Sequence, residues 1–370
     1  MQAAQASGPS VLDTPLCKLL GIRYPIVQAG MGNAAGIELA AAVSNAGGLG
    51  ILTATMVAPE VVKESIHAMR RRTDKPFGVN LLLHQDLSPP ADFAMDPAVV
   101  QSVQGKLNDF RRELGIPESH ATPGKLPPLI QMAYEVIVRE RVPVFSIGLG
   151  NPTVSMVEEC HDNGILVMAM VSTLEDALAV QANGVDIIVA QGSEAGGHRS
   201  TWRKPPTSQH AAIGTLALTS AVVSEARVPV VAAGGIVNGR GIRAALALGA
   251  QGVLMGTRFL LTSESTASES YKQRILDSSS DETMVTDVFT GMYARVLRNT
   301  FTESYVRSNT PVLPPGRQYA ATIDIVRAAE TQQRPEYNAL YCGQGIDDIQ
   351  RVKSATEVMA DIVQEVEATD

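Results

Sequence analysis

A histidine in a glycine-rich segment is the residue of this chain best suited to move a proton. His198 follows a Gly-Gly pair in the segment Gln191-Gly-Ser-Glu-Ala-Gly-Gly-His-Arg199, directly after an apolar run that predicts a strand. An imidazole with a pKa near neutrality can abstract or deliver a proton at physiological pH. We interpret His198 as a candidate catalytic base on a loop, against the alternative of a purely structural histidine. The other histidines have no partner motif, and no spacing of His, Cys or carboxylates predicts a metal site.

Two glycine-bearing segments predict a site for a phosphate group. Ala232-Ala-Gly-Gly-Ile236 and Met255-Gly-Thr-Arg258 each contain the end of an apolar run. Glycine lets backbone N–H groups approach a ligand closely, and the N-terminus of a following helix favours an anion. One such segment is equally well explained by a tight turn, but two on neighbouring strands favour a phosphate-bearing ligand. The candidate binding residues are Gly234, Gly235, Leu254, Met255, Gly256 and Thr257.

Small residues and amides end three other predicted strands. In Gln28-Ala-Gly-Met31, the residues Ala29, Gly30 and Met31 would let a flat ring lie against the backbone. Asn80 and Gln191 each offer an amide that both donates and accepts hydrogen bonds. A planar heterocycle such as isoalloxazine matches this lining. Either amide taken alone is also compatible with a hydrogen-bonded core position.

These residues lie within a regular alternation of strand-like and helix-like segments. Short apolar runs without two-sided polar alternation indicate a parallel sheet that is covered on both faces. Eight such runs begin at Pro25, Leu49, Phe77, Val142, Ile165, Asp186, Val228 and Gly252. Eight strand–helix units predict an α/β fold of the (β/α)8 TIM barrel type, whose active site lies at the carboxyl ends of the strands.

Two stretches do not follow this repeat. We predict a barrel over residues 16–265 with an insertion at 82–128, a lid over 266–345, and an acidic, solvated C-terminal helix or tail over 346–370. Long segments outside a regular repeat are usually lids or functional loops. Because the insertion and the lid both follow strands, we expect both of them over the carboxyl face.

The composition excludes several classes of protein. A net charge of −8 with no basic face argues against a nucleic-acid partner. No apolar run approaches the ~18–20 residues that span a bilayer, and the N-terminus does not resemble a signal peptide. Three widely spaced cysteines predict neither a disulfide framework nor a zinc site, so we expect a reducing, cytoplasmic location. The sequence leaves the oligomeric state open.

Taken together, the motifs resemble those of nitronate monooxygenases. The similarity is carried, in chain order, by Gln28–Met31, Glu38–Gly50, Lys75–Asn80, Gln191–Arg199, Ala232–Phe259, Phe289–Arg295 and Leu297–Asn299. The resemblance implies FMN, held by the loops after the seventh and eighth strands, by Asn80 and Gln191, and by Gly196 and Gly197. It also implies that His198 is the catalytic base, and that O2 oxidises a nitronate or nitroalkane to a carbonyl compound and nitrite.

Two positions depart from the family pattern, and other functions remain open. Gly30 stands where Pro is more usual, and Ser200 stands where Gly is common.

The main alternative function is an FMN-dependent reductase that passes electrons from NAD(P)H to a quinone or an enoyl thioester. A phosphosugar lyase or isomerase barrel without flavin and a non-catalytic interaction role are the others. Chemistry like that of IMP dehydrogenase is disfavoured because no cysteine follows the sixth strand.

Overall fold

The computed structural model describes residues 10–84, 94–124, 127–202, 207 and 212–368. The other residues lie outside this description. They include 85–93 and 125–126 of the predicted insertion, 369–370 of the predicted tail, and the first nine residues.

Eight parallel strands form a barrel, which confirms the predicted fold class. In order around the barrel they are β1 (Ile26–Gln28), β2 (Gly50–Thr53), β3 (Phe77–Leu82), β4 (Val144–Leu149), β5 (Leu166–Val171), β6 (Ile187–Gln191), β8 (Val230–Ala233) and β9 (Gly252–Met255), while β7 (Gly197–His198) belongs to a second sheet. Leu49 joins β1 to β2, because its N–H donates to Ile26 O and its carbonyl accepts from Gln28 N, each at 2.9 Å.

Alternate residues of each strand point to opposite sides of the barrel wall. In β9, Leu254 packs with the interior residues Val27 and Val231, whereas Val253 and Met255 pack outward against helices. This period of two is a property of every β-strand. A strand that is apolar on both sides therefore places only every second residue where it can meet a ligand inside the barrel mouth.

Helices cover the outside of the barrel and one of its ends. The outer layer contains α2 (Ile37–Asn45), α3 (Pro59–Arg72), α5 (Leu129–Arg139), α6 (Val154–Asp162), α7 (Leu174–Ala182), α8 (Thr215–Glu225) and α9 (Gly239–Ala247). At the amino-terminal end of the strands, α1 (Pro15–Leu20) packs Leu16 and Leu20 against the interior residues. The helix after the last strand, α10 (Thr257–Leu260), has only four residues.

The C-terminal helix corrects one prediction. The helix α14 (Ala355–Glu367) is not solvated on all sides, because Val358, Met359, Ile362 and Val366 are buried against α2 and α9. It completes the outer layer that the short α10 leaves incomplete. The acidic composition suggested a solvated helix, but the apolar residues recur at intervals of three and four and form one continuous face.

The insertion and the segment after the barrel share one hydrophobic core. That core joins α4 (Pro97–Glu113) to α12 (Thr300–Arg307) and α13 (Arg317–Thr331), through residues such as Leu107, Phe301 and Ile325. The same segment contains α11 (Glu269–Leu276), β10 (Thr283–Thr286) and β11 (Ala294–Leu297). We refer to residues 97–113 and 266–345 together as the lid.

A buried arginine connects the two parts of the lid. Arg111 of α4 is 2% exposed and donates to Asp324 Oδ2 at 2.8 Å and to Ala321 O at 2.7 Å, both on α13. It also donates to the buried amide oxygens of Gln104 and Asn108, at 2.9 and 2.8 Å. This guanidinium group therefore links α4 to α13 in addition to the hydrophobic core that the two helices share.

We expect Arg111→Met to lower the free energy of unfolding by about 3 kcal/mol, measured by urea denaturation. A buried acceptor that loses its donor costs about 1–3 kcal/mol. Gln104 Oε1 loses its one described donor and the Asp324 carboxylate loses its ion pair, while Asn108 Oδ1 keeps the N–H of Ser119. The neighbouring Arg112 provides the control, since it is paired only with the surface carboxylates of Asp109 and Glu118. Arg112→Met should cause no measurable loss. Equal losses in the two variants would contradict this role for Arg111.

Candidate active site

A cavity of about 400 Å³ lies between the carboxyl ends of the barrel strands and the lid. Most of the residues predicted to form the site line it: Ala29, Gly30, Met31, Asn80, Gln191, Gly196, Gly197, His198, Gly234, Gly235, Leu254, Gly256 and Thr257. Met255 does not, because it is on the outward face of β9 and is buried among helices. Its prediction as a ligand-binding residue ignored the alternation along the strand.

The ends of β1 and β3 meet where Gly30 approaches Asn80. A Cβ atom at position 30 would lie 2.7 Å from Asn80 Cβ, which is closer than real contacts allow. The Asn80 amide donates to Ser146 Oγ and Ser146 O at 3.1 and 3.2 Å. Its Oδ1 accepts from no described residue and is available to a ligand in the cavity. Gly30, which departs from the family pattern, therefore lets the Asn80 side chain lie against the end of β1.

Gln191 holds the backbone on both sides of Arg199. Its Nε2 donates to His198 O at 2.9 Å, and its Oε1 accepts from Ser200 N at 2.8 Å. The amide that was predicted to face a heterocycle thus also fixes the segment that carries the candidate base. Gln191 lines the cavity as well, so contact with a ligand remains a prediction.

Ser200 explains the second departure from the family pattern. Its side chain is fully buried, and its Oγ lies 2.8 Å from Gly148 O and 2.6 Å from Met170 O. The hydroxyl therefore bridges the end of β4 to the end of β5. A glycine could not make these contacts, so the serine stabilises the barrel mouth instead of presenting a group to the cavity.

His198 lies in a short strand and not, as predicted, in a loop. Strand β7 pairs with β11 through the partners His198 and Ala294, in a three-stranded antiparallel sheet with β10. The ring Nε2 lies 2.9 Å from Thr290 Oγ1, and the ring centroid is 5.5 Å from that of Tyr341. Pairing with β11 therefore fixes the backbone of His198, and Thr290 and Tyr341 contact its ring.

Burial changes the acid–base behaviour of this histidine. Loss of solvent, with a smaller contribution from the neighbouring His84, lowers the pKa of His198 from 6.5 to about 4. This pKa lies below the near-neutral value expected from the sequence. The imidazole is uncharged at neutral pH, and one ring nitrogen keeps a lone pair that can accept a proton.

The two glycine-bearing segments meet at one side of the cavity. Gly234 and Gly235 have φ angles of +112° and +69°, a region that favours glycine. The backbone N–H groups of Gly235 and Gly256 donate to no described acceptor, and both residues line the cavity. No Lys or Arg is among the described residues that line it, so an anion bound here would depend on backbone N–H groups.

The segment before α14 closes this side of the cavity. Gly343 N donates to Thr257 Oγ1 at 2.8 Å, and Gln344 N donates to Glu194 O at 2.9 Å. A Cβ atom on Gly196 would lie 2.4 Å from the backbone carbon of Cys342. Gly196 is therefore required for close packing of two backbones, in addition to any contact with a ligand.

Two buried arginines and a glutamate support the loop after β6. Arg199 donates to Gln191 O and Arg295 donates to Ser193 O, at 3.1 and 2.9 Å. Burial and the like charge of Arg295 lower the pKa of Arg199 to about 10. The Glu194 carboxylate accepts from Thr215 N at 2.8 Å, at the start of α8. These charges shape the loop from behind, outside the cavity lining.

The lid contributes residues that sequence reasoning did not identify. Thr290 and Tyr341 contact His198, and α13 lines the cavity with Tyr319, Ile323 and Val326. The segment Phe289–Arg295 resembles a family motif, which was a signal that it has a role. Nothing local in the sequence shows that it meets a residue about ninety positions earlier.

The remaining expectations from the sequence concerned metal sites, cysteines and membrane-spanning segments. No group of three or more His, Cys, Asp or Glu residues within the described ranges could hold a metal ion. Cys17, Cys160 and Cys342 are buried free thiols. None of the described helices is both long and apolar enough to cross a membrane.

The fold and the cavity define a class of protein. A closed α/β barrel with glycine-rich segments after its last two strands and a half-buried, uncharged histidine at its mouth is the arrangement of a barrel enzyme. The nitronate monooxygenase family profile matches residues 13–365. The chain belongs to the nitronate monooxygenase family and is an oxidoreductase.

Individual relatives agree with this assignment. The chain is 35% identical over 332 residues to a probable nitronate monooxygenase of Staphylococcus haemolyticus, covering 90% of this chain and 91% of the relative. A solved structure of nitroalkane oxidase from Streptomyces ansochromogenes superposes with a TM-score of 0.87 and 32% identity, covering 95% and 98% of the two chains. FabK from Thermotoga maritima superposes with a TM-score of 0.76 and 31% identity, covering 96% of each chain.

Proposed function

We propose that this chain is an FMN-dependent enzyme in which O2 oxidises alkyl nitronates, and nitroalkanes after loss of a proton, to a carbonyl compound and nitrite. The observation that carries the proposal is the position of His198, a half-buried and uncharged imidazole that lines the cavity and is held by Thr290. Membership of the nitronate monooxygenase family and similarity to a nitroalkane oxidase support it.

The described residues fit FMN at the barrel mouth. The Oδ1 atom of Asn80 can accept from a ring N–H, and the backbone N–H groups of Gly235 and Gly256 can hold a phosphate. A Cβ atom added to Gly32 would have nothing within 4 Å, which leaves open space beside the end of β1. When bound, FMN supplies the redox chemistry by accepting an electron from the nitronate.

The protein's own groups would prepare the substrate for this chemistry. A neutral nitroalkane carries a proton on the carbon next to the nitro group, and His198 would remove it. Thr290 Oγ1 also lies 3.2 Å from Met292 O. When the hydroxyl proton is donated to that carbonyl, His198 Nε2–H donates to Thr290 and Nδ1 keeps the lone pair that accepts the substrate proton. Thr290 would then select the tautomer of the base.

Anaerobic mixing tests the proposal against the reductase alternative. The purified enzyme is mixed with a pre-formed nitronate and, separately, with NADH, while the visible absorbance of the flavin is followed. We expect the nitronate to bleach the flavin and NADH to leave it oxidised, and readmission of O2 to give nitrite. Bleaching by NADH alone would favour the reductase, and a colourless protein would contradict the use of flavin.

The pH dependence of activity follows from the lowered pKa of His198. With a pKa of about 4, the base is unprotonated in nearly all molecules down to about pH 5.5. We expect kcat/KM for a neutral nitroalkane to stay nearly constant from pH 7.5 to 5.5, and to fall only as the pH approaches 4. An ordinary histidine with a pKa of about 6.5 would lose about tenfold over that range. A tenfold loss by pH 5.5 would show that His198 titrates normally or is not the base.

A further inference from the structure

One face of α13 forms a wall of the cavity and ends in a carboxylate. Tyr319, Thr322, Ile323, Val326 and Glu330 all line the cavity. Relative to position 319 they follow at i+3, i+4, i+7 and i+11, which places them on a single helical face. The first four side chains are apolar or uncharged, and Glu330 adds a carboxyl group at the far end of this wall.

Glu330 is the single acidic residue among the described residues that line the cavity. His198 is uncharged, and the described lining contains no Lys or Arg. The Glu330 carboxylate makes no hydrogen bond or ion pair with any described residue. Arg327, one turn earlier, is exposed and does not line the cavity. No described residue of the cavity lining therefore neutralises the Glu330 carboxylate.

The helix itself adds to this negative potential. Glu330 occupies the last turn of α13, which ends at Thr331 and has no basic residue in that turn. The aligned peptide dipoles of a helix give its C-terminal end a partial negative charge that favours cations and disfavours anions. A carboxylate at this place is unfavourable for the helix, so the helix end and the side chain repel an anion together.

The charged end lies away from the candidate base. Thr322 Oγ1 donates to Phe289 O at 2.6 Å, and Phe289 directly precedes Thr290, the partner of His198. Glu330 follows Thr322 by eight residues, which corresponds to ~12 Å along the helix axis. A substrate whose reacting carbon is near His198 would direct the far end of its alkyl chain towards Glu330.

We propose that Glu330 sets the charge preference of the cavity for the substrate tail. The enzyme would accept nitronates whose tail is uncharged or positively charged, and would reject tails that end in a carboxylate or phosphate. Rejection by an unpaired like charge is a common source of specificity. This inference rests on the proposed nitronate oxidation, and adds the class of nitronate that is used.

The test compares three nitronates that share one long alkyl chain and end in a methyl, an ammonium or a carboxylate group. In the wild-type holoenzyme we expect kcat/KM for the carboxylate to be about three- to tenfold below that for the methyl compound, as for two like charges several ångströms apart in a partly hydrated cavity. Glu330→Gln should remove most of that difference and should lower any preference for the ammonium compound. Glu303→Gln, on the exposed face of the lid, makes the same change in net charge and should leave all the ratios unchanged.

Several outcomes would overturn the inference without affecting the proposed function. Unchanged ratios in Glu330→Gln would show that the carboxylate does not face the tail. Equal changes for all three substrates, or a loss of flavin, would assign Glu330 to the fold or to the cofactor. If the methyl nitronate is not oxidised at all, the proposed function fails. Calorimetric binding of the three corresponding nitroalkanes then applies the same charge test, and equal affinities for the methyl and carboxylate compounds would overturn it.

Discussion

Gly235→Asp is expected to yield folded protein that purifies without flavin. Gly235 lines the cavity, its N–H donates to no described acceptor, and its φ angle is +69°. An aspartate would place a negative charge where we propose that the FMN phosphate binds. No basic residue among the described lining could compensate for it. A Cβ atom added at this position would lie 3.3 Å from Glu194 Cβ, so the new carboxylate would also be near an existing one.

Backbone strain must be separated from charge in this experiment. Gly164 has a φ angle of +72°, and a Cβ atom added there would have nothing within 4 Å, so Gly164→Asp introduces the same strain and charge in open space. We expect this control to retain its full flavin content. Gly235→Ala tests strain within the site and should retain much of the flavin. The measurement is the ratio of flavin absorbance to protein absorbance, with FMN and FAD distinguished after heat release. Full flavin content in Gly235→Asp would show that the phosphate binds elsewhere.

The barrel could be predicted because each of its signals is local. A strand that is buried on both faces must be apolar throughout, and the glycines of Gly234-Gly235 directly follow such a run. The ends of parallel strands meet at one edge, so residues such as Asn80 and Gln191 come together without any further information. Each barrel strand begins within two residues of the start of its apolar run.

What could not be predicted depends on contacts between distant segments. The pKa of His198 depends on how deeply the lid buries it, and its partner Thr290 is contributed by the segment before β11. The place of α14 in the outer layer depends on how short α10 is. Met255 is different, because counting alternate residues along β9 would have placed it outside the cavity from sequence alone.

Gln191 matches a family motif, but the contacts that the structure shows for its amide are with the protein backbone. The motif suggested an amide that reads a heterocycle, and the structure has this amide holding His198 O and Ser200 N. A sequence pattern indicates an amide at a position, but it does not indicate which groups that amide hydrogen-bonds to. The consequence is that the candidate base is held by β6 on one side and by Thr290 on the other.

His198→Asn is expected to abolish most turnover of neutral nitroalkanes and to leave the flavin bound. A positioned base typically contributes ~10²–10⁴-fold, and a neutral nitroalkane must lose a carbon-bound proton before it can be oxidised. Asparagine keeps a polar side chain near Thr290 but cannot accept a proton at neutral pH. Pre-formed nitronates have already lost that proton, so their kcat/KM should fall much less. His120→Asn, at an exposed position outside the cavity lining, is the control and should behave as wild type.

The comparison of the two substrate forms separates the possible roles of His198. A large loss on the neutral nitroalkane alone, with unchanged flavin absorbance, is the result expected of a base. Equal losses on both forms would mean that the imidazole binds the nitro group or orients the flavin. Unchanged activity on both would remove His198 from the site, and loss of flavin would make its role structural.

Thr290→Val adds an intermediate case, because the base would remain while its tautomer would no longer be selected. We therefore expect Thr290→Val to slow only the neutral substrate, and by less than His198→Asn does.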